Sequence, residues 1–186
     1  MQIIYTICNN AFIIYKGVIK IKQVDLRKSP FNLSDKQIEW VNSTIENMTI
    51  EEKIGQLFFP MGFSTKKKDL KEMVQKYHIG GMMYRTGKAK KIVEAHRFIQ
   101  TTAKIPLFLA ANLEAGGNGI IDEGTYFGSN MEVGASNDVR QAEILGDVCT
   151  KEGQMAGCNM AFAPVIDLNI NFRNPVTNTR AFSDKT

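Results

Sequence analysis

At 186 residues the chain is long enough for one domain with a sizeable core, and its 44% hydrophobic and 23% charged content is that of an ordinary globular protein, which excludes disordered and fibrous classes. The net charge of +4 does not point to nucleic acid, because Lys16, Lys20 and Lys22 at one end supply three of the four excess charges. Cys8, Cys149 and Cys158 lack zinc-ligand spacing, and an odd, sparse count fits a reducing, cytoplasmic compartment rather than a disulfide framework.

Residues 1–23 are apolar and β-branched, with no basic leader and no Ala-x-Ala cleavage site. Asn9-Asn10 splits the apolar run below the ~20 residues of a membrane span, so no membrane partner is expected. The segment has the pattern of a hairpin turning at Asn9-Asn10. It also reads as upstream sequence outside the working protein, with a native start near Val24, in which case it packs poorly.

From Asp25 the texture changes. Ser34 with Gln37 makes a capping box, and Ile38, Val41 and Ile45 predict a helix over 35–47. Thr49 with Glu52 opens a short helix, IEEKIGQ. A rhythm follows. Strands are predicted at 57–62, 79–85, 105–114 and 158–168. Helices are predicted at 66–78, 89–103 and 137–157, the last capped by Ser136 or Asn137 and stopped by Gly157. The Lys66-Lys67-Lys68 run is a solvated helix entrance. The strands are nearly continuous apolar runs, as expected when both faces are covered.

Alternating strands and helices imply an α/β fold with a parallel sheet. About four βα units make the N-terminal half of a (β/α)8 barrel, preceded by a helical segment, and the polar tail 169–186 gives the chain the look of a fragment. The organisation expected is an extra segment over 1–23 and a partial barrel domain over 24–186.

In such a barrel the chemistry sits after the C-terminal ends of strands. That rule selects Met61, Gly62, Tyr84, Arg85, Asn112, Glu114 and Asp167, with Arg173, Asn174, Arg180 and Asp184 in the last loop. Amides, carboxylates and arginines without a metal-ligand cluster suit a polyhydroxylated ligand, because each hydroxyl donates and accepts. Each has a structural alternative: Asp167 as a turn cap, Glu114 as an acceptor for the glycine turn, Arg173 as a loop anchor. His78, His96, Met82, Met83 and Met160 read as structural or core residues. Gly116-Gly117-Asn118-Gly119 does not run directly into a helix, and no Gly-Lys-Ser/Thr occurs, so a phosphate cradle is not expected.

The ordered segments MTIEEKIGQLF, IGGMMYR, IPLFLAANLEAGG, FAPVIDLN and NPVTNTRAFSD together resemble glycoside hydrolase family 3, over residues 48–184. The flavour is that of its β-N-acetylglucosaminidase, or β-hexosaminidase-like, branch. The resemblance implies a retaining glycosidase on a (β/α)8 barrel, using a carboxylate nucleophile and an acid/base, with a carbohydrate substrate and neither metal nor cofactor. It places Asn112 where relatives have a sugar-binding Asp, matches Arg180 to a sugar-binding Arg, and matches Asp167 to the acid after F-A-P-V. Asn112, Arg180, Asp167 and Glu114 are therefore the candidate substrate-binding residues, and no catalytic residue is assigned. The family's K-H-F-P-G-H/D, acid/base and nucleophile segments are expected beyond Thr186, so the 186-residue chain alone is expected to be inactive. Asn112 and Asn118 depart from the family's usual Asp and Arg, and one residue is inserted after Glu114. Those departures put the identity of the sugar in question, with β-glucosidase-type specificity as one alternative, and the expected truncation leaves a non-catalytic sugar-binding remnant as another.

Overall fold

The computed structural model describes the backbone of residues 11–14, 17–20 and 24–185, and side chains of residues 24–185. The chain divides into two compact units, Met1–Ile50 and Glu51–Thr186.

In the first unit, β1 (Ala11–Ile14) and β2 (Gly17–Lys20) pair antiparallel, with Ile14 opposite Gly17 and Ala11 opposite Lys20. The ladder pairs Phe12-Ile13 with Val18-Ile19, two β-prone stretches. The turn expected at Asn9-Asn10 lies outside the described residues. The expected poor packing of residues 1–23 lies outside the described side chains. Helix α1 (Asp35–Asn47) starts where predicted, and the Gln37 side chain accepts the Ser34 backbone N–H at 2.8 Å. Arg27 pairs with Asp35 at 2.6 Å, in the first turn, where a carboxylate also favours the helix dipole. No α1 side chain is fully buried.

The second unit begins within α2 (Ile50–Gly55). It continues as β3 (Met61–Gly62), α3 (Lys67–Gln75), β4 (Gly81–Tyr84), α4 (Ala89–Thr102) and β5 (Phe108–Ala111). Then come α5 (Asn130–Ala135), α6 (Val139–Met155) and β6 (Met160–Ala161). The four strands β3 to β6 form one parallel sheet in chain order, with Met61 opposite Met83, Met82 opposite Leu109 and Ala110 opposite Met160. This is the sheet of about half a (β/α)8 barrel, with α3, α4 and α6 in the helical positions.

The core lies between sheet and helices. Leu70 and Val74 of α3, Ile92 and Ile99 of α4 and Leu145 of α6 meet Met82, Tyr84, Leu109 and Ala111 of the strands. Each large apolar side chain buried there contributes about 1.5–3 kcal/mol. The opposite face of the sheet holds Phe59, whose ring lies over Gly81 and meets Phe162 edge-on, centroids 5.6 Å apart. A Cβ on Gly81 would come within 2.1 Å of that ring, and one on Gly80 within 2.1 Å of the Gln56 carbonyl oxygen. The Ile79-Gly80-Gly81 sequence is thus required by close approach on both sides of the strand.

Several predicted bounds shift. The first and fourth strands shorten to two residues each. In the fourth, Phe162 N–H still donates to the Ala111 carbonyl at 3.0 Å, but Pro164 has no N–H to extend the ladder. Met160 is exposed rather than core. Helix α3 stops at Gln75, so Tyr77 is exposed and His78 takes a left-handed φ of 51° just beyond. Asp138, not Ser136 or Asn137, caps α6, its carboxylate accepting the Arg140 N–H at 3.0 Å. Gly157, with φ of 87°, ends the helix as expected. Helix α5 was not predicted. Among the described residues no helix is long and apolar enough to cross a membrane.

His96 is buried on α4. Its Nδ1 donates to the Ala156 carbonyl at 2.7 Å, and its ring meets Tyr84 at 5.5 Å. Its Nε2 has no partner among the described residues. Burial pushes its pKa below the usual 6.5, against the opposing pull of the Ala156 bond.

Gly80→Ala places a methyl against backbone that cannot yield and should lower the urea midpoint by about 1–3 kcal/mol of stability. Gly146→Ala, in the interior of α6 with open space around it, should raise stability by about 0.5–1 kcal/mol in the same titration. For His96 the folded state resists a proton that the unfolded chain takes up near pH 6.5. Stability is therefore full above about pH 6.5 and declines as pH falls through that value toward the folded pKa. Urea midpoints measured between about pH 7.5 and about pH 5 should show a shallower decline in His96→Asn, which keeps a donor for Ala156 but does not titrate there.

Candidate functional site

The site is built on the end of β5. Leu109, Ala111 and Leu113 all lie in the helix-facing core. Leu113 packs into Gly153 of α6, where a Cβ would stand 2.5 Å from its Cδ1, and its carbonyl accepts the Cys149 thiol at 3.0 Å. Side chains alternate along an extended chain, so Asn112 is directed to the other face of the sheet. Asn112 is exposed there.

The glycine loop then folds back over this strand end. A Cβ on Gly119 would come within 1.9 Å of the Asn112 carbonyl oxygen, so that position accepts only a hydrogen. Gly116 has a φ of 130°, which L side chains rarely adopt. The loop's carboxylate brace is Glu152 of α6, which accepts the Thr125 N–H at 2.8 Å and the Thr125 hydroxyl at 2.5 Å. The part expected of Glu114 as acceptor for the glycine turn is thus filled by a residue that sequence reasoning did not select.

Glu114 instead takes a partner 66 residues away. Arg180 Nε donates to Oε2 at 2.8 Å and Nη2 to Oε1 at 2.6 Å, a bidentate fork. The Arg180 Nη1 also donates to the Val176 carbonyl at 3.3 Å. The Glu114 side chain is 20% exposed and that of Arg180 46%, so the pair is open to solvent on the arginine side. Its guanidinium pKa is raised above the usual value, first by the hydrogen bonds it donates to Glu114, with a smaller contribution from the exposed carboxylate of Asp167. The fold therefore brings Glu114, Arg180 and Asp167 into one electrostatic neighbourhood, beside the strand end that carries Asn112.

The remaining candidates make contacts within the fold. Tyr84 is buried, its hydroxyl donates to the Ser64 carbonyl at 2.6 Å, and burial pushes its pKa up to about 12. Arg85 Nε approaches the Met61 sulfur at 3.4 Å. Arg173 lies over the Phe172 ring, 5.4 Å from its centroid. Asn174 accepts the Val176 N–H at 2.9 Å and so shapes the last loop, and Asp184 accepts the Ser183 hydroxyl at 3.4 Å. Burial raises the Cys158 thiol to about 11, which keeps it protonated and unreactive.

The Glycosyl hydrolase family 3 N terminal domain matches residues 49–186. The chain belongs to glycosyl hydrolase family 3. A β-N-acetylglucosaminidase/β-glucosidase of Cellulomonas fimi is 38% identical over 159 residues, covering 86% of this chain and 28% of the relative. A β-hexosaminidase A of Pseudoalteromonas piscicida is 30% identical over 135 residues, covering 65% of this chain and 22% of the relative. Among solved structures, the β-glucoside phosphorylase BglX bound to 2FGlc is 40% identical with a TM-score of 0.80, over 86% of this chain and 29% of that one. The chain thus spans under a third of the length of these family 3 relatives.

The two carboxylates of this family 3 site should separate on mutation. Glu152→Ala removes both Thr125 partners and should cost about 1–3 kcal/mol of stability, with hydrogen exchange at the Thr125 amide rising about tenfold or more. Glu114→Ala breaks a solvent-open pair and should cost at most about 1 kcal/mol in the same denaturation experiment.

Proposed function

We propose that the intact protein is a retaining β-glycosidase that releases terminal β-linked N-acetylglucosamine. The reading assigns the sugar's hydroxyls to Asn112, Arg180 and Asp167, with Glu114 at the same subsite holding the guanidinium in place. It invokes no metal or cofactor.

The observation that carries it is the Arg180 fork, fixed by Glu114 yet open to solvent. An arginine has five N–H donors. Glu114 occupies two and the Val176 carbonyl one, which leaves two for hydroxyl oxygens. Asn112 adds an amide that both donates and accepts, as a hydroxyl requires. Glu114 has both oxygens engaged by Arg180, and the reading gives it the role of holding the guanidinium rather than that of nucleophile. The names of the relatives support N-acetylglucosaminides and glucosides equally: the first carries both, the second is a β-hexosaminidase, and a third, from Salmonella typhimurium, is a periplasmic β-glucosidase.

A second reading has its own support. The 40% identical structure is titled a phosphorylase, so cleavage by inorganic phosphate is the competing chemistry. The difference lies in which nucleophile resolves the glycosyl-enzyme, water or phosphate.

One set of assays separates these readings. The intact protein is given p-nitrophenyl β-N-acetylglucosaminide and p-nitrophenyl β-glucoside, each with and without inorganic phosphate. Preferential, phosphate-independent release from the first substrate is expected. Arg180→Ala should lower kcat/KM about 10- to 100-fold, the loss of charged hydrogen bonds to the sugar. Phosphate-dependent formation of a sugar 1-phosphate would transfer the assignment to the second reading, and preference for the glucoside would remove the N-acetylglucosamine specificity. The 186-residue chain alone is expected to release nothing, because it holds no segment resembling the family's nucleophile.

A further inference from the structure

Arg180 sits on a short 3-10 turn, Asn178–Arg180, that is not held by its own sequence alone. The turn closes on itself through Arg180 N–H to the Thr177 carbonyl at 2.7 Å, and it contains Asn178 at a φ of 30°, a conformation that side chains rarely adopt. What fixes it from outside is α5. The Asn130 Nδ2 donates to the Arg180 carbonyl at 2.7 Å. Four residues on, Gly134 lies so close to the Phe182 carbonyl oxygen that a Cβ would stand 2.1 Å from it. Between these contacts Ala181 is fully buried.

Asn130 is 2% exposed, and its Oδ1 has no hydrogen-bond partner among the described residues. A buried amide with one end unsatisfied is an unfavourable core residue. Its Nδ2 bond to the Arg180 peptide is the contact that the amide provides there. Helix α5 is in turn fixed at its start, where Glu132 accepts the Ser129 N–H and the Tyr126 hydroxyl.

We propose that Asn130 is a positioning residue for Arg180. It clamps the arginine's peptide so that the guanidinium meets Glu114 and presents its remaining N–H groups to the sugar. The inference rests on the reading of Arg180 as a sugar contact. The clamp acts on the backbone, so its loss displaces the whole side chain rather than one hydrogen bond.

The test uses the intact protein and four forms: wild type, Asn130→Leu, Arg180→Ala and the double variant. Leucine keeps about the same volume and removes the unsatisfied oxygen together with the donor; Asn130→Asp, the same size with no donor toward Arg180, serves where leucine does not fold. Kinetics on the β-glycoside and hydrogen exchange of the 178–183 segment are both read. Asn130→Leu should raise KM about tenfold with kcat within about threefold, since the lost contact serves binding. It should have no further effect once Arg180 is alanine, because residues acting through one group are not additive. Exchange across 178–183 should rise about tenfold or more while the strands stay protected. Unchanged exchange in that segment overturns the clamp whatever the kinetics. Additive effects in the double variant overturn it as well. If Arg180→Ala leaves KM unchanged while Asn130→Leu still frees the segment, the sugar-contact reading fails and the clamp stands.

Discussion

The strict alternation at the end of β5 is the constraint on which the site depends. Leu109, Ala111 and Leu113 are committed to the helix-facing core, with Leu113 seated in the space left by Gly153. An extended chain cannot then turn Asn112 inward without a bulge or a slip, and a one-residue slip would expose all three apolar residues. The polar end of the strand is aimed by apolar packing behind it. The exposure of Asn112 is thus an outcome of core burial, and no polar contact of Asn112 is needed to orient it.

Beyond the strand, order is carried by contacts of modest strength. Glu152 braces the glycine loop at Thr125, Glu114 ties that loop to Arg180, and Asn130 ties Arg180 to α5. None is a large apolar anchor. An ion pair as open as Glu114 and Arg180 stabilises the fold little, since water screens it. Its bidentate geometry nevertheless fixes direction, and direction is what recognition of a hydroxyl requires. A rigid scaffold with loosely bonded but directional loops lets binding residues adjust without weakening the core.

The rhythm of strands and helices was legible because continuous apolar runs and 3.6-residue periods are local signals, and both faces of a barrel strand are covered. The extent of β3 and β6 was not, because a ladder ends where a neighbour or an N–H is missing, as at Pro164, and not where hydrophobicity fades. Helix α5 escaped because six residues hold too little periodicity. Its one signal was the spacing of Ser129 and Glu132, a capping box of the kind that correctly placed α1. For the candidate site, the selection of Asn112, Glu114, Asp167 and Arg180 came from strand ends and motifs. The partnership of Glu114 with Arg180 spans 66 residues and leaves no local trace, so neither the glycine turn nor a ligand, the two readings open to Glu114 in the sequence, named this partner. Glu152 and Asn130 were missed for the same reason: each lies inside a helix and acts on a loop distant in sequence.

The asparagine at 112 acquires a physical rationale from these pairings. Glu114 and Asp167 already supply two carboxylates to the neighbourhood of one guanidinium. An aspartate at 112 would add a negative charge to the strand end that already leads to Glu114, and like charges raise the cost of keeping each ionised. A neutral amide avoids this repulsion and still offers a donor and an acceptor to a hydroxyl. It gives up the charge-assisted bond that an aspartate would make, so under the proposed function the charged recognition would rest on Arg180. On the proposed reading, in which Arg180 contacts the sugar, the Asn130 bond to the Arg180 carbonyl is the contact through which α5 would bear on affinity.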